Sequence, residues 1–316
     1  MYCLCILAYN EEDSIKMIVE KYLDHFELII IVNDGSQDQT SKILDKLQHE
    51  HKKIKIITNI KNKGAGYSLQ KALDCFNETD LNYLIKIDGD NQFEESDVIE
   101  LIEYSKNFDF IKCDRFWEKG IKGTIPQTRY FGNAFASLLL KISTGNWRIN
   151  DPLNGLFLFS SKITKKINIP NNFKRYGYPF YLTNYISHLS FSEDIKIGQM
   201  KNTIEYFSNK KTINIFVMFF KLISYTLRSF IRKISIKFKN SKLQLSGFYD
   251  IFFLINLCIS LFSTYKVISV RYFDQPGQQG TWTIVFLFFL FLSGIFLNVS
   301  QKHQTNFLSS KFENIN

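Results

Sequence analysis

Acidic residues are missing from one long stretch of this chain. Between Tyr206 and Tyr249 there is no Asp or Glu, yet Lys210, Lys211, Lys221, Arg228, Arg232, Lys233, Lys237, Lys239 and Lys242 all fall there. The chain carries 39 Lys and Arg against 30 Asp and Glu, so removing these nine leaves 30 of each. The net charge of +9 therefore has a local origin. Cysteine is scarce too. Cys3, Cys5, Cys75, Cys113 and Cys258 include no Cys-x-x-Cys pair. Each lies in an apolar run, which suits small buried hydrophobes in a reducing compartment and excludes a disulfide framework. The five histidines show no metal-ligand spacing. No signal peptide opens the chain, because Tyr2–Ala8 already reads as a buried strand.

What is present is an alternation of strand and helix over residues 1–115. Strands are predicted at Tyr2–Ala8, Leu28–Val32, Ile54–Thr58, Tyr83–Ile87 and Phe108–Cys113. Helices are predicted at Ser14–Phe26, Thr40–His49, Tyr67–Phe76 and, capped by Ser96, through Tyr104; their apolar residues recur at helical spacing. This pattern implies a mainly parallel sheet with right-handed crossovers. Polar turns follow successive strands: Asn10-Glu11-Glu12, Asn33-Asp34-Gly35-Ser36 and Asp88-Gly89-Asp90. Strand ends in a parallel sheet share one edge, so the turns converge on one crevice, where such sheets bind ligands. Alone, Asp-Gly-Asp-Asn is also good turn chemistry. Two close carboxylates repel unless a positive group sits between them. Mg2+ or a similar hard cation, completed by phosphate oxygens and water, is one answer.

After residue 115 the pattern is less regular. A long helix is expected over Tyr130–Ile142, a turn at Asp151–Gly155 and a strand at Leu156–Ser160. Asn214–Phe238 carries apolar residues at helical spacing with interleaved cations, which predicts a basic amphipathic helix, or two short ones, at an anionic membrane surface. Nucleic acid is the competing partner for a basic stretch. The apolar runs that follow argue against it. Asp250–Val270 and Trp282–Val299 can each cross about 30 Å of hydrocarbon as helices. The linker between them, Arg271–Thr281, has one Arg and one Asp. The positive-inside rule then places the linker outside and both termini in the cytoplasm. Asp250 and Lys266 would snorkel near the ends of the first span, and Tyr272 and Trp282 would sit at the outer interface. The expected divisions are 1–208, a catalytic domain; 209–248, a juxtamembrane segment; 249–300, a transmembrane hairpin; and 301–316, a cytoplasmic tail.

The ordered motifs resemble a known family. Ala8-Tyr9-Asn10-Glu11-Glu12, Val32-Asn33-Asp34-Gly35-Ser36 with Asp38 and Thr40, Asn62-Lys63-Gly64 with Gly66, and Asp88-x-Asp90-x-Gln92 are similar to inverting family 2 glycosyltransferases of the GT-A fold. The nearest subgroup is the dolichyl-phosphate mannose synthase and polyprenyl-phosphate glycosyltransferase type. Cys113-Asp114-Arg115-Phe116, Arg129 and Asp151-Pro152-Leu153-Asn154-Gly155 continue the likeness, and Gln279-Gly280-Thr281-Trp282 resembles the start of the second helix in bacterial polyprenyl-phosphate glucosyltransferases. The resemblance implies that Ala8, Tyr9, Glu11 and Asp34 line the base and ribose pocket, with Lys63 and Gly64 nearby. It implies that Asp88, Asp90 and Gln92 hold Mg2+ or Mn2+ on the diphosphate. Arg115, Arg129 and Asn133 would meet phosphate, although Asn133 stands where the subgroup usually has Ser. Gly177-Tyr178-Pro179-Phe180 matches a subgroup motif, but Thr183 replaces its Glu, and Arg175 and Pro179 would reshape that sugar-side pocket.

The activity so implied is transfer of a sugar from a UDP- or GDP-sugar to a polyprenyl phosphate at the cytoplasmic membrane face, within cell-envelope glycan synthesis. A lipid monophosphate, with its second pKa of about 6, needs no strong base. A sugar-hydroxyl acceptor, as in polysaccharide synthesis, needs a carboxylate base, for which Asp151 and the Ser192-Glu193-Asp194 turn are candidates. A non-catalytic sugar-nucleotide-binding scaffold is the third reading. The sequence also allows a homo-oligomer.

Overall fold

A computed structural model describes residues 1–117, 120–123, 125–205, 215–272 and 278–315. Lys210 and Lys211 of the basic segment, and Pro276 and Gly277 of the linker, lie outside the described residues, as do the side chains of Arg271 and Tyr272. The elements run β1 (Tyr2–Ala8), α1 (Ile15–Tyr22), β2 (Leu28–Asn33), α2 (Thr40–Glu50), β3 (Ile54–Thr58), α3 (Ala65–Phe76), β4 (Tyr83–Asp88), α4 (Glu95–Tyr104) and β5 (Phe110–Asp114). Then come β6 (Ile121–Lys122), α5 (Gln127–Thr144), β7 (Phe157–Ser160), α6 (Ser161–Thr164), α7 (Tyr178–Ser192), β8 (Ile197–Lys201) and β9 (Ile204–Glu205). The last elements are α8 (Ile215–Lys239), α9 (Gln244–Tyr272), α10 (Gln278–Leu308) and β10 (Phe312–Ile315).

Eight strands form one sheet in the order β10-β8-β5-β7-β4-β1-β2-β3, and only β7 runs against its neighbours. The expected mainly parallel α/β sheet is present. Its central strands are apolar on both sides because helices cover both faces. Leu4, Ile6 and Ala8 of β1 pack with α1, α2 and α4 residues such as Ile18, Leu44 and Val98. Cys3, Cys5 and Leu7 face Leu69 of α3, Leu140 of α5 and Phe180 of α7. Four cysteines are buried as expected; Cys258 is exposed, on the outer face of α9. Ser96 does not cap α4. The helix already begins at Glu95, and Glu94 occupies the extended cap position. α5 is longer than its apolar core suggested, running from Gln127, just after Pro126 at the cap position, to Thr144, with Gly145 ending it at φ 69°.

The basic segment forms one helix, α8. Leu222, Thr226, Ser229, Phe230, Lys233 and Lys237 turn toward the protein, and Phe220, Leu227 and Ile231 turn outward. α9 and α10 are long and apolar enough to cross a membrane. They pack on each other along small and polar residues, Ser260, Ser263 and Ser293 among them, and expose Phe252, Ile255, Leu261, Phe288 and Phe291. Asp250 does not snorkel. It is fully buried, with Lys237 Nζ 2.7 Å from Oδ2, Lys233 Nζ 3.4 Å from Oδ1 and Ser300 Oγ 2.7 Å from Oδ1. The physical reason is that α8 brings two cations to it, which spares the carboxylate the route to water. The chain end also returns to the sheet. β10 pairs in parallel with β8, burying Phe312 and Ile315.

Candidate active site

The three polar turns do share one edge. β1, β2 and β4 are parallel neighbours, so Ala8, Asn33 and Asp88 end side by side. β5 points the same way beyond β7, and the turn leading into β7 opens on the same edge. Arg115, just past β5, is therefore two strand spacings from Asp88, about 10 Å along the sheet. Asn10, Asn91 and Asp151 all adopt positive φ (57°, 55° and 46°) at this edge. Asn and Asp tolerate that left-handed conformation better than other side chains.

A cavity of about 500 Å³ lies over the ends of β1, β2 and β4. Ala8, Tyr9, Glu11, Asp34, Gly64, Asp88 and Asp90 line it together with Asn62, Ser68, Arg175 and Tyr176. Asp34 is buried, and both of its oxygens accept bonds from protein. Lys63 N–H donates to Oδ1 at 2.9 Å and Gly64 N–H to Oδ2 at 2.7 Å, while Asn59 Nδ2 donates to Oδ1 at 2.8 Å. Asp34 thus fixes the Asn62–Gly64 loop. Gly64 sits at φ 101°, where a Cβ would stand 2.5 Å from Arg175 Cα, so only glycine lets the 174–177 loop close over the pocket. Arg175 reaches back to the carbonyl of Asn62 at 3.2 Å. The Lys63 ammonium turns outward to the Tyr67 hydroxyl, 3.2 Å away.

At the pocket floor, Lys86 is buried and its Nζ lies 2.6 Å from Asp88 Oδ1. Burial works against the ammonium, but the Asp88 carboxylate outweighs it and holds the Lys86 pKa above its ordinary value. Asp90 is pushed the other way: burial first, then the Asp88 charge, raise its carboxyl to about 6. The Gln92 N–H donates to Asp90 Oδ1 at 3.4 Å. Among the described residues there is no group of three or more His, Cys, Asp or Glu that could hold a metal. The pair nevertheless fits a hard cation. Two carboxylates face a polar pocket, one is destabilised in its charged form by the other, and oxygen donors with open positions are what Mg2+ and Mn2+ take.

Arg115 and Asp151 form the second cluster. Asp151 is fully buried. Its Oδ1 accepts from Arg115 Nη2 at 3.1 Å, and Arg115 Nε lies 3.0 Å from Oδ2. The Arg115 backbone N–H also donates to Oδ2 at 3.1 Å, and Lys112 holds the Asp151 carbonyl. Both carboxylate oxygens are thus engaged by Arg115, which sets its guanidinium at the sheet edge. The Phe116 and Tyr130 rings meet edge to face at 5.7 Å, bringing the start of α5, and with it exposed Arg129, beside Arg115. Asn133, one turn on, is buried, and its Oδ1 has no hydrogen-bond partner among the described residues. The Ser192-Glu193-Asp194 turn is not brought to the site. It lies at the far end of α7, whose 15 residues span roughly 20 Å from Tyr178, and Glu193 pairs with Lys166 at 2.8 Å.

A family model described as glycosyl transferase family 2 matches residues 3–167, which includes every strand from β1 to β7. The chain belongs to glycosyl transferase family 2. Among its relatives, a Methanococcus voltae protein named UDP-N-acetylglucosamine–dolichyl-phosphate N-acetylglucosaminyltransferase is 29% identical over 191 residues, 55% of this chain and 74% of that one. A human dolichyl-phosphate beta-glucosyltransferase is 30% identical over 79 residues, 21% of this chain and 24% of that one. A Pyrobaculum calidifontis mannosyltransferase, solved with GDP-Man and Mn2+, superposes with 11% identity and a TM-score of 0.44, over 93% of this chain and 86% of that one. This family 2 glycosyltransferase adds to the expected residues several that sequence reasoning passed over. Lys86 is the chief of them. Its signal was a lysine inside an otherwise apolar strand, two residues before an aspartate and so on the same face.

Proposed function

We propose that the chain transfers a sugar from a nucleotide-diphosphate donor to a polyprenyl-type lipid phosphate at the cytoplasmic face of a membrane. The observation that carries this reading is the arrangement along one sheet edge: a carboxylate pair in a nucleotide-sized pocket, and about 10 Å away an arginine held by a buried aspartate. Asp88 and Asp90 would hold Mg2+ or Mn2+, which supplies positive charge to the leaving diphosphate when bound. Ala8, Tyr9, Glu11, Asp34, Lys63 and Gly64 would enclose the nucleoside. Arg115, positioned by Asp151, offers a planar fork for the acceptor phosphate, with Arg129 and Asn133 on the adjoining helix.

The acceptor side is apolar, as a lipid requires. Tyr130 and Phe131 at the start of α5 are exposed, and Phe135 stacks on Phe219 of α8 at 4.6 Å, which joins that patch to the outward face of α8. The basic residues of 206–249 other than Lys233 and Lys237, which are buried against Asp250, supply attraction to anionic lipid. The relatives named for dolichyl-phosphate acceptors point the same way. A sugar-hydroxyl acceptor is less well served, because Asp151 is engaged by Arg115 and Glu193 is remote. The test is a panel of radiolabelled UDP- and GDP-sugars given to the membrane-reconstituted protein with Mg2+ or Mn2+. Label should appear in an organic-extractable, mild-acid-labile lipid. Label found only in water-soluble glycan refutes the reading, and nucleotide binding with no transfer favours a scaffold.

A further inference from the structure

Lys86 has no solvent access, yet it stands in the middle of a central strand where Val or Ile would ordinarily be found. Side chains two apart on a strand share a face, so Lys86 extends along the strand to Asp88. Three elements meet around that pair. Tyr178, at the start of α7, lays its ring over the ammonium, with the centroid 5.4 Å from Nζ. Gly155, in the turn before β7, covers the other side: a Cβ there would stand 2.5 Å from Asp88 Oδ2 and 3.1 Å from Lys86 Nζ. The contact between Lys86 and Asp88 Oδ1 is 2.6 Å. One oxygen of the first aspartate is thereby occupied by a fixed cation, and the other is hemmed in.

Stability does not account for this lysine. Replacing a buried ion pair by apolar residues is often neutral or stabilising. The consequence lies in the charge of the site. Asp88 and Asp90 would together present two negative charges to an approaching cation. With Lys86 they present one. Without a third acidic or histidine ligand among the described residues, the protein supplies few donors of its own.

We propose that Lys86 is a positioning residue that keeps the Asp88–Asp90 pair from holding a divalent cation alone, so that the cation is taken up only together with the donor's diphosphate. This rests on the reading that Asp88 and Asp90 meet the donor's metal. The diphosphate oxygens provide the ligands that the protein lacks, and their negative charge offsets the repulsion from the ammonium. The pocket then stays open to a metal–nucleotide pair without a resident ion.

Direct Mn2+ binding, read by electron paramagnetic resonance on the full chain in detergent, tests this. The native protein should bind Mn2+ weakly alone and at least tenfold more tightly once saturating UDP or GDP is present. Lys86→Gln keeps a hydrogen-bond donor for Asp88 without the charge. It should bind Mn2+ without nucleotide on the order of tenfold more tightly than the native protein, since a unit charge near the ion is removed. Lys86→Met should do the same, and the two variants together guard against one that does not fold. A folded Lys86→Gln or Lys86→Met protein with unchanged or weaker Mn2+ binding overturns the proposal, as does a native protein that binds Mn2+ equally well with and without nucleotide. A native protein that binds neither Mn2+ nor nucleotide overturns the reading of the pocket itself, and this proposal with it.

Discussion

Asp90→Asn separates the chemistry of the pocket from its stability. Burial and the Asp88 charge lift the Asp90 carboxyl from 3.8 to about 6. Between those values the folded protein keeps a proton that the unfolded chain has released. The folded state then binds more protons, so stability falls as pH rises through this window and the whole penalty is present above it. A shift of about two units at ~1.4 kcal/mol each comes to ~3 kcal/mol. The carboxyl retains some exposure at the pocket, and screening trims the effect to ~1–3 kcal/mol. Asparagine has the same shape and no charge. Asp90→Asn should therefore be more stable than the native protein at pH 7.5, by several degrees in Tm, and equal to it near pH 4. Sugar transfer should fall on the order of a hundredfold or more, the scale seen when one group that stabilises developing charge is removed. Thermal unfolding in detergent at the two pH values, with transfer assayed in parallel, gives both numbers. A variant less stable than native at pH 7.5 refutes the picture of a strained carboxylate pair. Undiminished transfer refutes the placement of Asp90 at the donor.

Other substitutions probe the remaining parts. Asp151→Asn removes the charge that faces Arg115, and transfer should drop as far as in Arg115→Met, with the double variant no worse than either; additive losses measured in that cycle would show that Asp151 acts on its own. Asp250→Asn leaves Lys233 and Lys237 buried without an anion, which costs about 3–5 kcal/mol, so Tm in detergent should fall sharply, while Lys233→Met/Lys237→Met/Asp250→Leu should restore much of it. Ending the chain at Lys311 uncovers β8 and removes buried Phe312 and Ile315, each side chain worth about 1.5–3 kcal/mol; size-exclusion chromatography should show aggregation through the exposed strand edge, and a monodisperse, equally stable product would count against a structural role for β10.

How much of this was legible follows from the range of each signal. The alternation of apolar strands with 3.6-periodic helices is local, and it marked β1 to β5 to within about two residues. The convergence of Asn10, Asp34 and Asp88 was legible because parallel strands force their C-terminal ends to one edge. Partnerships made across the chain were not. Asp250 read as a carboxylate near the end of a membrane helix because nothing local says that Lys233 and Lys237 will meet it. Asp151 read as a base because its buried contact with Arg115 depends on β5 and the turn before β7 lying side by side. Phe312–Ile315 is too short to register as a strand and becomes one only because β8 offers it an unpaired edge. Lys86 was visible in the sequence. Its meaning was hidden, since the pattern shows that a lysine shares a face with Asp88 but not that Tyr178 and Gly155 enclose the pair.

The long-range contacts also bear on how a soluble donor and a membrane lipid would meet at one site. Three ties link the apolar hairpin to the rest of the protein. Lys237 joins Asp250 of α9 and Ser300 of α10. Gln304, near the end of α10, donates to the Thr144 carbonyl that closes α5 at 2.9 Å. β10 then adds itself to β8. α5 carries Arg129 at its other end, and α10 sets the level of its last turn, so under the proposed function the height of Arg115 and Arg129 above a lipid surface would be fixed by packing and not by a linker. A second chain of contacts runs from the same surface to the candidate pocket. Lys221 of α8 donates to the Tyr176 carbonyl at 2.7 Å, and Tyr176 and Arg175 line the pocket proposed for the nucleotide. Both proposed substrate sites would thus be referred to one helix, α8, whose outward face is apolar and whose flanks are basic. Lys221→Met tests that dependence: it should weaken UDP or GDP binding severalfold while leaving Tm nearly unchanged, because it removes one partly exposed contact and no buried charge. Unaltered nucleotide affinity would mean that the 174–177 loop holds its place without α8.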